Sequence, residues 1–248
     1  MSSMKKNISS VIFATAIIIA AYLLANAIVN RNKSEGIISV TGLGKADFTS
    51  DLIVWEGSFS KESYDLQKAY NDLEKDKKII YTYLLDKGVA NEELVFNAVA
   101  SRKQTKPKYS SDGKYIGDEF LGYILTQSLQ IESNNVKNIE QLSREITELL
   151  NKGIQFYSQA PRYYYTKLAD LKIEMISKAT NDAHHRAQKI SENSTSVLGE
   201  LLSAKMGIFQ ITGQNSNEDY SWGGTYNTSS KNKTASITMK LNYNIRGD

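Results

Sequence analysis

The strictest alternation in the chain lies at its C-terminus. Ala235, Ile237, Met239, Leu241, Tyr243 and Ile245 face one way, and Ser236, Thr238, Lys240, Asn242 and Asn244 the other. This predicts a half-buried antiparallel strand. Near the start, IISVTGLGKADF places Ile38, Val40, Ala46 and Phe48 on one parity around Gly42 and Gly44, a strand with a bulge or a close backbone approach at its centre. In DLIVWEGSFSKES, Ile53, Trp55 and Phe59 oppose Glu56, Ser58 and Ser60, so a second strand follows. Leu94–Thr105 and Phe120–Ser133 read as a hairpin pair, joined by a long exposed loop that holds Pro107 and the turn signal Asp112-Gly113. In the second arm Leu121, Tyr123, Leu125, Leu129 and Ile131 share parity, broken at Gln127. Ile154–Thr166, with Pro161 marking a bulge or edge, and Leu198–Thr212 complete the predicted strands.

Three stretches change period from two to about 3.6. Ser63–Lys87 carries Leu66, Tyr70, Leu73, Lys77, Ile80 and Leu84 at helical spacing and stops at Gly88. A second helix starts at an Asn134 or Asn135 cap, buries Val136, Ile139, Leu142, Ile146 and Leu149, and ends near Gly153. In Lys167–Met206 the residues Leu171, Met175, Ala179, Ala183, Ala187 and Ile190 form a narrow stripe opposite Lys172, Lys178, Asn181, His185 and Lys189. A stripe dominated by alanine lets a helix lie very close to a sheet. The predicted order is β-β-α-β-β-α-β-α-β-β, an α+β fold in which a mainly antiparallel sheet, or sheets, is covered by three helices.

Ahead of this domain, residues 11–29 carry no charge. A helix of that length just spans a hydrocarbon core of roughly 30 Å. Lys5 and Lys6 precede the run and favour a cytoplasmic N-terminus, whereas Arg31 and Lys33 follow it and reduce the asymmetry. Ala25-Asn26-Ala27 is also an acceptable signal-peptide cleavage site, so an uncleaved anchor and a cleaved, secreted or periplasmic form both stand. Either reading places the rest outside the cytoplasm. The expected organisation is a cytoplasmic N-terminus (1–10), a transmembrane anchor (11–29), a linker (30–36) and the α+β domain (37–248).

Composition narrows the chemistry. A net charge of +3 spread over 248 residues argues against nucleic acid, which needs clustered Lys and Arg. With no cysteine, disulfides, thiol catalysis and Cys-based zinc sites are excluded together. His184 and His185 point about 100° apart on a helix, so they do not chelate one metal together. Gly42-Leu43-Gly44 lacks a third glycine in register and leads into a strand, no G-x-S-x-G occurs, and the pairs Glu92-Glu93 and Asp118-Glu119 fall at turns or strand boundaries. No catalytic, cofactor-binding or metal-binding residue is therefore expected, and no cofactor. Arg162, Tyr163, Tyr164 and Tyr165 form a candidate contact surface, with strand packing as the competing reading. Trp222 is a candidate contact point in 212–233, a polar, glycine-rich loop of a length that is usually functional or disordered.

The opening ISVTGLGKADFTSDL resembles the I-x-V-x-G-x-G start of the SIMPL-domain family. The alanine-rich helix is similar to that family's A-x-x-A-x-x-(R/K)-A rhythm followed by a Leu-Gly, here Ala179, Asp182-Ala183, Arg186-Ala187 and Leu198-Gly199. Asn193-Ser194 stands where relatives tend to end the helix on glycine. The resemblance covers residues 37–246. It implies an exported bacterial envelope domain with no established catalytic activity, with self-association and, for some members, a link to stress defence. The leading expectation is a single-pass inner-membrane protein whose periplasmic or otherwise external domain acts by binding or by assembling as a homo-oligomer, its protein partner unknown. Two alternatives accompany it: a small-molecule enzyme or redox-protective factor of the periplasm, and an accessory scaffold that uses the 212–233 loop.

Overall fold

A computed structural model describes residues 2–31 and 36–247, with side chains described for 13–28 and 36–245. The chain divides into two compact units. The first comprises Met1–Leu43, Ala179–Gly207 and Met239–Asp248, the second Gly44–Lys178 and Ile208–Thr238. The described elements are four α-helices and antiparallel sheets, as the periodicity predicts.

In the second unit, β2 (Leu52–Ser63) pairs along its whole length with β5 (Tyr115–Ser133) in antiparallel register, Ile53 opposite Ser133 and Ser63 opposite Tyr123. α2 (Leu66–Asp86) starts at Asp65, whose Oδ1 accepts from Lys68 N at 2.7 Å, and stops at Gly88 with φ +85°. α3 (Val136–Glu145) is capped by Asn135 and continues as a 3-10 turn to Gly153, left-handed at φ 74°. The faces meet in one core in which Trp55, Phe59, Leu73, Ile80, Leu129, Ile139 and Leu149 are fully buried. The first turn of α2 departs from the expected stripe: Leu66 and Tyr70 are exposed, and the buried line runs through Ala69, Leu73, Asp76, Ile80 and Leu84.

The hairpin is longer than its hydrophobic pattern. β3 (Leu94–Phe96) and β4 (Ala100–Tyr109) both pair with β5, and the turn closes within Ser110–Lys114 around Asp112-Gly113. The segment expected as a loop is therefore mostly strand. Its side chains are largely solvated, so no apolar alternation marks it; cross-strand hydrogen bonds hold it instead. Pro107 is tolerated because β4 is bonded on one side only. Gln127 keeps the parity it was expected to break, being buried with its Nε2 donating to Asn97 O at 2.8 Å. The strand expected over 154–166 is interrupted at Pro161 into β6 (Phe156–Ser158) and β7 (Arg162–Tyr164), which share one edge of β2.

The first unit is organised around the close approach of a helix to a strand. β1 (Gly36–Thr49) turns Ile38, Val40 and Gly42 inward, and α4 (Leu168–Asn193) lies against it. A Cβ at Gly42 would stand 2.2 Å from Ala179 O and 2.4 Å from Ala183 N, so only glycine fits. Leu43 N donates to Asp182 Oδ2 at 2.8 Å and clamps the same contact. Leu171, Met175, Ala179, Ala183 and Ala187 are buried as expected; Ile190 is 48 % exposed, and Ser191 continues the line. Each step of four residues overshoots a full turn by about 40°, so this line winds around the helix and passes Ile190 by. The helix ends at Asn193, and the left-handed residue after it is Thr195 at φ 52°, a β-branched residue where glycine would be unstrained.

β8 (Ser196–Met206) and β9 (Gln210–Gly213) divide the strand region expected over 198–212, and each pairs antiparallel with β10 (Asn232–Gly247). β8 is an edge strand with Val197, Leu201, Leu202 and Met206 exposed. β10 keeps its predicted inward row, but Ser236 and Asn244 on the other parity are buried too.

α1 (Ser2–Arg31) falls in the first unit, and its side chains over 13–28 are all exposed. Among the described residues no helix is long and apolar enough to cross a membrane. The side chains at the ends of the 11–29 run and those of Lys5, Lys6 and Arg31, and most of the 30–36 linker including Lys33, lie outside the described residues.

The helix–strand approach leaves no room at Ala183. Ala183→Leu is expected to lower stability by about 1–3 kcal/mol through overpacking, whereas Ile190→Ala, on the exposed side, changes it by less than about 0.5 kcal/mol. Denaturant melts of the two variants check the ranking, and equal losses would place the buried line elsewhere.

Candidate functional site

The polar run after β9 is built by its own side chains. Gln210, 8 % exposed, sends Nε2 to Ser221 O at 2.7 Å and accepts on Oε1 from Thr225 N at 2.7 Å. Ile211 N donates to Thr225 O, and Asn227 N to Ile211 O. Glu218 is the second organiser: Oε2 accepts from Gly213 N at 2.9 Å, and Oε1 accepts from Asn227 Nδ2. Those bonds, Gly213 first, hold its carboxyl below the usual range. Asn227 Oδ1 in turn accepts from Ser230 N. At the tip, Gly224 N donates to Ser221 O across a tight turn, with Gly224 at φ +94°. Trp222 occupies that turn and is 95 % exposed.

The candidate contact residues part company. Trp222 is outward. Arg162 is exposed and pairs with Glu56 at 2.5 Å. Tyr164 is half-buried with its ring 6.5 Å from that of Tyr226, and Tyr165 is half-buried against Phe48 at 4.8 Å. Tyr163 is a core residue and not a surface one: it is 8 % exposed, its backbone N–H donates to Thr228 O, and its hydroxyl donates to Glu140 Oε1 at 3.3 Å. Adjacent residues of a strand point to opposite faces, so a run of tyrosines cannot present one surface.

Lys233 carried no signal in the sequence, yet it is 1 % exposed and donates from Nζ to Tyr163 O at 2.5 Å, with Nζ 5.5 Å from the centre of the Tyr226 ring. It thereby ties the base of the loop to β7. Burial pushes its ammonium down to about 8. Gln210, Glu218 and Asn227 were equally silent, because a polar residue in a polar run shows its role only once its partners are placed. Of the histidines, His184 lies with Nδ1 3.2 Å from the Tyr243 hydroxyl and His185 is exposed. His184 belongs to the first unit and Arg162 to the second.

The family model SIMPL, described as a protein of unknown function (DUF541), matches residues 38–242. The chain belongs to the SIMPL family. No curated protein matches it. The SIMPL match starts inside β1, ends inside β10 and takes in α4 with its alanine line, the 212–233 loop and the hairpin. α1 falls outside it. The SIMPL assignment names a fold whose activity is undescribed, so the loop's geometry carries what can be said of function.

Three outcomes follow from this arrangement. Lys233 is charged in both folded and unfolded states below pH 8, where its burial costs stability in full. Between about 8 and 10.5 the folded state releases its proton first, so stability rises with pH, by about 1–3 kcal/mol. Burial raises the Tyr163 and Tyr226 hydroxyls above 10, so the unfolded chain ionises first there and stability falls again. Denaturant melts from pH 7 to 11 should show that maximum, and Lys233→Met should remove the rising limb. In the native protein, iodide should quench Trp222 but not Trp55, which is fully buried with Nε1 donating to Ser158 Oγ at 3.0 Å. Glu218→Ala should lower the fluorescence anisotropy of Trp222, and unchanged anisotropy would show that Glu218 does not hold the loop.

Proposed function

We propose that the chain is a membrane-anchored envelope protein of the SIMPL family that acts without catalysis, by presenting Trp222 to a partner from a pre-organised loop. The carrying observation is the combination at that tip. A large aromatic side chain is 95 % exposed, while the backbone beneath it is held by Gln210, Glu218 and Asn227. Leaving indole in water is unfavourable, and fixing the loop beforehand removes most of the ordering cost of docking it. Tryptophan is also the residue type most enriched among interface hot spots.

The anchor is the uncharged run 11–29, whose described part is helical with every side chain outward, as a lipid-facing helix requires. The reading puts residues 1–10 in the cytoplasm and 37–248 in the periplasm or beyond, with a cleaved secreted form as the alternative. A second reading, self-association, is favoured by one observation: β8 is an edge strand with Val197, Leu201, Leu202 and Met206 exposed.

Membrane extraction and site-specific photo-crosslinking of the full chain test this in cells. The chain should resist alkaline extraction, and its domain should be digested by protease added to spheroplasts. A photo-reactive residue at Trp222 should give one adduct of defined mass, whereas the same residue at the exposed Tyr157 should give none. A mass of two chains would name the partner as a second copy. A fully soluble chain would remove the anchor, and an empty lane for Trp222 would remove the contact.

A further inference from the structure

Between the start of α2 and strands β4 and β5 lies a cleft of about 510 Å³, lined by Leu66, Gln67, Tyr70, Val99, Ser101 and Leu125. All six residues belong to the second unit, and the cleft is independent of the function proposed above. We propose that it binds a small molecule with an aliphatic body and one carboxylate, a medium-chain carboxylic acid.

Size and lining carry the first half of this. Small-molecule sites are clefts of roughly 300–1,000 Å³, lined mostly by apolar side chains with a few polar groups that fix orientation. The helix wall here is Leu66 and Tyr70, one turn apart and 44 % and 47 % exposed. Their spacing matches the buried stripe of α2, yet the core leaves them uncovered. The floor is Leu125, with Ser101 directly opposite it on β4. Tyr123 stands next along the same face of β5. Its ring is 5.2 Å from that of Phe120, which lies 6.2 Å from that of Tyr64. An apolar track thus leads out of the cleft along β5, which suits an elongated body better than a compact one.

The walls are formed before any ligand enters. Asp65 caps α2 by accepting from Lys68 N at 2.7 Å, and Asp65 N donates to Ser63 Oγ at 3.2 Å. The turn that carries Val99 is pinned to β5. Asn97 N donates to Ser128 O and Asn97 Nδ2 to Ser128 Oγ, both at 2.9 Å, and Asn97 O accepts from Gln127 Nε2 at 2.8 Å. Preformed walls lower the ordering cost of binding.

Charge selects the head group. No residue of the lining is charged. Lys103 is directly opposite Tyr123 and so shares the face of the cleft, one residue pair beyond Ser101. It is exposed and, among the described residues, enters no ion pair. The other lysine on this face, Lys61 opposite Leu125, is committed to Asp76 at 2.9 Å. Of the acids nearby, Asp65 is spent on the helix cap and Glu119 pairs with Lys106 at 3.4 Å, while Glu62 is opposite Ile124 on the other face. A body lying in the cleft therefore meets one unpaired ammonium, with the Gln67 amide and the Ser101 hydroxyl as further donors. That set matches a carboxylate.

The test is a methyl-resolved NMR titration of the full chain in lipid nanodiscs with octanoate, octanol and propionate. The methyls of Leu66, Val99 and Leu125 should shift and saturate with octanoate and not with propionate, which lacks the body. Octanol, of equal length and uncharged, should bind about tenfold or more weakly. Lys103→Gln should bring octanoate down to the level of octanol and leave octanol unchanged, a split that loss of structure would not give. Ser101→Trp, at an exposed strand position, fills the cleft and should abolish binding of both while the other methyl signals keep their places. Shifts that stay linear, octanoate binding that Lys103→Gln leaves unchanged, or saturation that survives Ser101→Trp would overturn the proposal. So would movement of the same methyls on dilution without ligand, which would give the cleft to a second copy of the chain.

Discussion

The first unit depends on how near α4 comes to β1. At Gly42 the helix backbone itself occupies the place of a side chain, with Ala179 O 2.2 Å from where a Cβ would be. Such an approach needs glycine on the strand and alanine on the helix at the same level. The polar backbone beside it also finds a partner. Asp182 answers this by accepting from Leu43 N on Oδ2, the oxygen to which Arg186 Nε also donates at 3.0 Å. Glycine, alanine and an acid thus act as one device, and the family rhythm in α4 is its trace in sequence.

The second unit solves a different problem. Its apolar core is conventional, with Trp55 and Phe59 covered by α2 and α3. Around that core, polar groups are brought inside and then satisfied one by one. Glu140 accepts from the Tyr163 hydroxyl and from Lys231, and the lysine holds its carboxyl below the usual range. Lys233 donates to Tyr163 O. These bonds run from α3 through β7 to the base of the 212–233 loop. A segment that looks unstructured by composition is thereby bonded to the strands beside it. Trp222 sits outward on a turn in which Ser221 O accepts from Gln210 Nε2 and from Gly224 N, with Gly224 at φ +94°.

Elements marked by an apolar period were legible from residues alone. The alanine line, the α3 stripe, the β10 alternation and the stops at Gly88 and Gly153 all rest on local rules, since burial on one face repeats at the period of the element. What failed has two causes. The distal hairpin between Lys106 and Asp118 is held by backbone pairing with no buried face, so no side-chain period reports it. Ile190 satisfied the helical spacing but was left out, because the buried line follows steps of four and not three at that end.

The candidate site divides along the same line. Trp222 could be singled out in the sequence, as a large aromatic in a long polar loop. The bonding of its loop could not, because Gln210, Glu218, Asn227 and Lys233 act only through partners up to 70 positions away, as Lys233 does through Tyr163. Tyr163 shows the converse, a residue that looked like surface and became core once β7 paired with β2. By itself the sequence determined the class of fold, the helix that marks the family, and the absence of cysteine chemistry. Which polar residues are buried, which strand edges stay open and which aromatic faces outward were decided only by tertiary structure. Those properties depend on what each side chain meets across the fold, and local spacing carries no record of that.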